Sequence, residues 1–78
     1  MLTLHLITSD TVQEFTDIRS VTCTLADGPV KILPNHAPAI ATIKPGKFYL
    51  VRQDGIKPQE LTSSGLIKIE RNIVTVVS

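Results

Sequence analysis

"LIKIERNIVTVV", Leu66 to Val77, decides the class of this fold. Apolar and polar residues alternate along both halves, the pattern of a strand with one committed face. Arg71-Asn72 interrupts it, and asparagine tolerates the positive φ of a tight turn. Strand, turn, strand is the natural reading, and the isoleucine, valine and threonine content fits it.

Working back from this hairpin, the period stays at two. Ser63-Ser64-Gly65 breaks the chain, and Glu60–Thr62 reads as a weaker strand. Asp54-Gly55 is a hairpin signal behind a strand at Phe48–Arg52. Lys44-Pro45-Gly46-Lys47 carries proline and glycine where a type II turn wants them. Ile40 and Ile43 flank a short extended piece, and Pro34 ends any ladder running through Ile32 and Leu33. Val21, Cys23 and Leu25 form another alternation, closed by Ala26-Asp27-Gly28; Leu2, Leu4 and Leu6 form the first. Between these two, Val12, Phe15 and Ile18 have helical spacing over one turn at most. Short strands with frequent turns predict an all-β sandwich or barrel, as a single domain over residues 1–78.

Seventy-eight residues make one domain, whose lone stability is modest because so small a body buries a limited share of its surface. Eight basic residues against seven acidic ones give no clustered positive field, so nucleic acid is not the expected partner and no electrostatic grip on a membrane is expected. A single cysteine, Cys23, excludes an internal disulfide and reads as a small buried hydrophobe. Met1–Ile7 lacks the basic start and apolar run of a signal peptide. No stretch approaches the roughly 20 apolar residues that span a bilayer, so any membrane link runs through another protein.

Groups for catalysis are sparse. His5 and His36 have no metal-ligand partner at short spacing, and no serine stands in a nucleophile elbow. Phosphate loops and dinucleotide fingerprints are absent, and Asp54, Glu60 and Glu70 read as solvated carboxylates. No enzyme activity, cofactor or metal is expected. His5 reads as a surface or half-buried residue. His36 lies between Pro34-Asn35 and Ala37-Pro38, so its backbone is held on both sides. It is either packed on its own domain or presented to another.

The segment around His36 is the odd one. Asp27 to Gly46 holds four of the five prolines and has no run of charge. Its core, "ILPNHAPAIATIKPG", resembles the hallmark of the F-type ATP synthase epsilon subunit in its N-terminal β-sandwich domain. "LHLITSD" and "SSGLIKIERNIVTVVS" are similar to that family's first strand and closing hairpin, so the likeness spans essentially the whole chain. Two positions depart from the pattern: Lys31 where glycine usually precedes I-L-P, and Pro29 where an acidic residue is frequent.

The resemblance implies an all-β, two-sheet antiparallel β-sandwich with no helical C-terminal domain, and a noncatalytic rotor subunit on the central stalk, packed against the gamma shaft and seated on the c-ring. His36, Ala37, Pro38 and Thr42 are the implied gamma side. Asp27, Gly28, Pro29, Val30 and Lys31 are the implied ring side. It implies a peripheral place at the cytoplasmic face of the inner (plasma) membrane and no self-association. It also implies that 78 residues, if the natural length, lack the family's helical arm, which restrains hydrolysis and in some members binds ATP. The competing reading is a free-standing β-sandwich module binding a peptide or small ligand. Ile32, Leu33, Ala37, Pro38, Ala39 and Ile40 are candidates for an apolar interface patch. Most of Ile32, Leu33, Ile40 and Ile43 are expected in the sandwich core.

Overall fold

The computed structural model describes residues 1–78 as eight strands: β1 (Leu2–Ile7), β2 (Val12–Leu25), β3 (Gly28–Ile32), β4 (Ala39–Ile43), β5 (Gly46–Arg52), β6 (Gly55–Leu61), β7 (Gly65–Glu70) and β8 (Ile73–Val77). One layer runs β4-β7-β8-β1 and ends on the first half of β2. The other sets β3 on one edge of the second half of β2, with β5 and then β6 on its opposite edge. A single pairing, Leu25 with Ile43, joins β2 to β4 at the far end. The pairs are antiparallel except β1 with β8, the first and last strands, which run the same way.

The 14-residue β2 strand resolves the helical spacing seen at Val12, Phe15 and Ile18. These residues are in a strand, not a helical turn. Thr16 and Asp17 together face one residue of β1, between the pairs Leu2–Ile18 and Leu4–Phe15. Arg19 is extra against β5, between Ile18–Arg52 and Ser20–Val51. Each irregularity adds a residue, so the inward set runs Phe15, Ile18, Val21 at intervals of three before resuming Cys23 at two. A bulge bends its strand, and Asp17 takes the positive φ of 57° that goes with the bend.

Elsewhere the alternation holds. Leu2, Leu4, Leu6, Phe48, Leu50, Ile67, Ile69, Val74 and Val76 join Phe15, Ile18, Val21, Cys23, Ile32, Ile43 and Leu61 in one buried cluster. Of the four isoleucines and leucines around the proline segment, Ile32 and Ile43 are in this core. Leu33 is 51% exposed and Ile40 71%. The expectation that most were core is thus half right, and Ile32 leaves the interface patch. Pro34 explains the split: the ladder stops at Ile32, and Leu33 turns outward ahead of the proline. Phe15 closes one end of the core beneath two cations, with Lys57 Nζ 4.9 Å and Arg52 Cζ 5.8 Å from its ring centre. Such contacts add about 0.5–1 kcal/mol each where exposed.

Burial pushes the Cys23 thiol up from 9.0 to about 11. The native state therefore holds a proton that the unfolded chain releases more readily. Stability should be unaffected below about pH 9 and fall as pH rises from 9 towards 11. A Cys23→Ala variant should show a flatter profile over that window in chemical denaturation; an equal slope in both would exclude the thiol as its source.

Turn chemistry differs from expectation in one place. Lys44–Lys47 is a bend and not a hydrogen-bonded turn: Gly46 has the positive φ expected after Pro45, 120°, but already begins β5, and the Lys44 N–H donates to the Thr24 carbonyl, 2.8 Å. Proline followed by positive φ occurs also at Pro34-Asn35, which is a turn, with Asn35 at φ 64°. At Asp54-Gly55 the two loop residues are Gln53 and Asp54, and Gly55, pairing with Arg52, carries the positive φ. Arg71 and Asn72, at φ 51° and 63°, both adopt the left-handed geometry of a type I′ hairpin turn.

Two prolines lie within strands, each on a free edge. Pro29 pairs with Thr24 and Pro58 with Tyr49. Proline has no N–H, so these pairs are held by the hydrogen bonds of their neighbours, and the proline nitrogens face outward. Both exposed edges of the second sheet thus lack a donor at mid-strand, which discourages pairing with another chain.

Candidate partner-docking surface

Strand register fixes which side chains stand together on the outside of the first sheet. Thr42 of β4 lies opposite Leu66 of β7, and Leu66 opposite Val77 of β8. Val77 neighbours Ile7 of β1, and Ile7 lies opposite Val12 of β2. Their sequence neighbours Ile43, Ile67, Val76 and Leu6 fill the core, so this row must face out. Leu66 is 57% exposed, Val77 47% and Val12 75%, with Ile7 half-buried. The result is an apolar strip crossing five strands. The next row inward along the strands is Ile40, Lys68, Thr75, His5 and Glu14. There the His5 Nε2–H donates to the Glu14 carboxylate, 2.8 Å.

His36, Ala37 and Pro38 are exposed in the connection from β3 to β4. The His36 Nδ1–H donates to the Ala37 carbonyl, 2.6 Å, which closes the loop locally while the ring stays on the surface. Beneath it the loop is clamped to the β7–β8 turn. The Asn35 N–H donates to Asn72 Oδ1, 2.6 Å, and Asn72 Nδ2 to Asn35 Oδ1, 3.3 Å. The Asn72 carbonyl also accepts from the Thr3 N–H, 2.9 Å. Three parts of the chain meet at that one asparagine.

Thr42 is at the opposite end of β4, roughly 14 Å along the strand from Pro38. Its carbonyl accepts from the Ala26 N–H, 3.0 Å, which places it against the β2–β3 turn that carries Asp27. The structure therefore divides His36, Ala37 and Pro38 from Thr42 along one outward line through Ile40. Asp27, Pro29 and Lys31 are exposed, Gly28 is half-buried, and Val30 packs on the core.

Ile7, Val12, Leu66 and Val77 escaped the sequence reading as surface residues. The signal was present: each stands on the polar phase of its own alternation, where an apolar residue at a strand end needs a reason. An open groove of about 560 Å³ at the other end of the molecule is lined by Met1, Thr16, Asp17, Arg52, Gln53 and Asp54, with charges of both signs and one apolar side chain.

Chains of this shape occur in solved assemblies, among them two ATP synthases. One is the mitochondrial ATP synthase of Euglena gracilis, in a structure of its OSCP, F1 and c-ring in one rotational state. Its chain superposes with a TM-score of 0.77 at 17% identity, over 96% of the present chain and 48% of its own. The other is the central stalk and c-ring of the Tetrahymena thermophila mitochondrial ATP synthase, at 0.74 and 13% identity, over 97% and 61%. The present chain thus spans about half to three-fifths of those chains, and at such identity the likeness is one of fold. Sequence decides the family: the β-sandwich domain of the ATP synthase delta/epsilon chain matches residues 1–78 without remainder, and the chain belongs to that family.

Proposed function

We propose that this chain is a noncatalytic rotor subunit of the central stalk of an F-type ATP synthase. As a single domain it joins the gamma shaft to the c-ring, so that ion flow through the ring drives ATP synthesis in the head. In that role it sits peripherally at the cytoplasmic face of the plasma membrane, held there by protein contacts. A connector needs two contact surfaces on one stiff body. The observation that carries the reading is the corner where the apolar strip, ending at Thr42, meets the Asp27 turn through the Ala26–Thr42 hydrogen bond.

His36, Ala37, Pro38 and Thr42 serve the shaft side, on the outward line of β4. Asp27, Gly28, Pro29, Val30 and Lys31 serve the ring side. Val30 acts there through the shape of the strand, since its side chain faces inward.

The test is a pull-down of Pro38→Gly with the purified gamma subunit of the same enzyme. Pro38 is exposed, so the fold should persist, its melting temperature lowered by no more than several degrees through the freer unfolded chain. Loss of the fixed φ adds about 1 kcal/mol of ordering cost, or roughly fivefold in affinity. A wild-type chain that never co-purifies with gamma would remove the rotor reading altogether. Full affinity in the variant would remove Pro38 from the contact.

A further inference from the structure

We infer that the element received by the apolar strip is a single α-helix lying across the strands, with its N-terminus over β2 and its C-terminus over β4. The inference rests on the rotor reading and names the part of the shaft that docks.

The first argument is one of repeat. Leu66, Val77, Ile7 and Val12 each come from a different adjacent strand, so they are spaced by about 4.8 Å. A helix offers one side chain per turn along a face, about every 5.4 Å. The mismatch accumulates to about 2 Å over the three strand steps from Leu66 to Val12. An extended segment presents same-side residues about every 6.8 Å and drifts by about 6 Å over the same path. It also cannot hydrogen-bond to the face of a sheet. The strip from Thr42 to Val12 is about 19 Å long, the rise of about 13 helical residues.

Charge supplies the direction. Asp10 precedes Val12 in the β1–β2 turn and Glu14 follows it on the same face, so the β2 end is acidic. Lys44 follows Thr42 by two residues and Lys68 stands beside Leu66 in the next row, but Glu70 lies 3.6 Å from Lys68 and Asp27 is in the adjoining turn, so the β4 end is balanced and not acidic. A helix carries about +0.5 of a charge at its N-terminus and −0.5 at its C-terminus. The acidic β2 end favours the N-terminus of a helix over its C-terminus, and the balanced β4 end does not oppose that orientation. Area argues for a partner other than a second copy. A strip about 19 Å long and one side chain wide falls well short of the roughly 800 Å² per partner that a stable dimer buries. It suits one element of a partner that also touches the molecule elsewhere.

The experiment uses the purified gamma subunit as probe, with a benzophenone–maleimide label on Val12→Cys or Thr42→Cys. Cys23 is buried and does not compete for label. Both cross-links should fall in one helix of gamma, about 10–14 residues apart, with the Val12 product nearer that helix's N-terminus. Cross-links on separate elements, or in the reverse order, overturn the inference while wild-type co-purification keeps the rotor reading. Absence of any wild-type complex overturns both. Unlabelled Leu66→Glu should lose at least tenfold in affinity with its melting temperature kept, and Ile56→Glu, exposed on the other sheet, should lose none. Equal affinities in the two variants also overturn it.

Discussion

Phe48→Ala should remove a large share of this domain's stability. Phe48 is 1% exposed and among the largest of the fully buried side chains. Truncating a buried phenylalanine costs about 3–5 kcal/mol, through lost transfer energy and the cavity left behind. A native domain has about 0.05–0.15 kcal/mol of stability per residue, hence roughly 4–12 kcal/mol for a chain of this length. The loss is a large share of that total. Tyr49→Ala, one residue on and 39% exposed, should cost roughly 1 kcal/mol or less. Urea denaturation of the pair measures the difference directly. Comparable losses would mean that β5 does not bury the face assigned to it.

The second large effect is expected at Gly65, for a reason of space alone. A Cβ there collides with the carbonyl oxygen of Val77 and comes within 3.1 Å of Ser78 Cα and Cβ. The oxygen belongs to backbone, so no rotamer change relieves the contact. Gly65→Ala should cost about 1–3 kcal/mol by overpacking. The displacement has a defined direction. It drives the end of β8 away from β7 and strains the last link to β1, where the Ser78 N–H donates to the Ile7 carbonyl at 2.9 Å. Hydrogen exchange should therefore show faster opening at Val77 and Ser78 than at Val74. A wild-type exchange pattern with wild-type stability would show that the ends of β7 and β8 stand further apart than described.

Most of the sandwich was legible because alternation and turn residues are local properties. Leu2, Leu4 and Leu6 announce their buried face without knowledge of any partner strand, and so does the Leu66–Val77 hairpin. What stayed hidden depends on relations between strands. The bulges in β2 shift the inward phase by one, so Phe15, Ile18 and Val21 mimic helical spacing although no helix exists. Whether Pro34 or Pro45 makes the sharper turn is decided by what the neighbouring amides bond to: Lys44 to Thr24, Asn35 to Asn72. The candidate site shows the same dependence. At the His36–Pro38 loop the prolines left packing and presentation both open, and only the fold shows the loop exposed. The strip of Ile7, Val12, Leu66 and Val77 exists only once four strands are in register, and no single segment reveals it.

β2 is a member of both layers, its first half hydrogen-bonded to β1 and its second to β3 and β5. One sheet cannot slide over the other without breaking main-chain hydrogen bonds on that strand. A twisting load entering through the β1–β8 side is thus passed on by a continuous covalent chain, and side-chain packing between the layers does not have to carry it. Wear in such a part would begin at the bulge around Asp17, where the shared strand bends and its ladder is already interrupted.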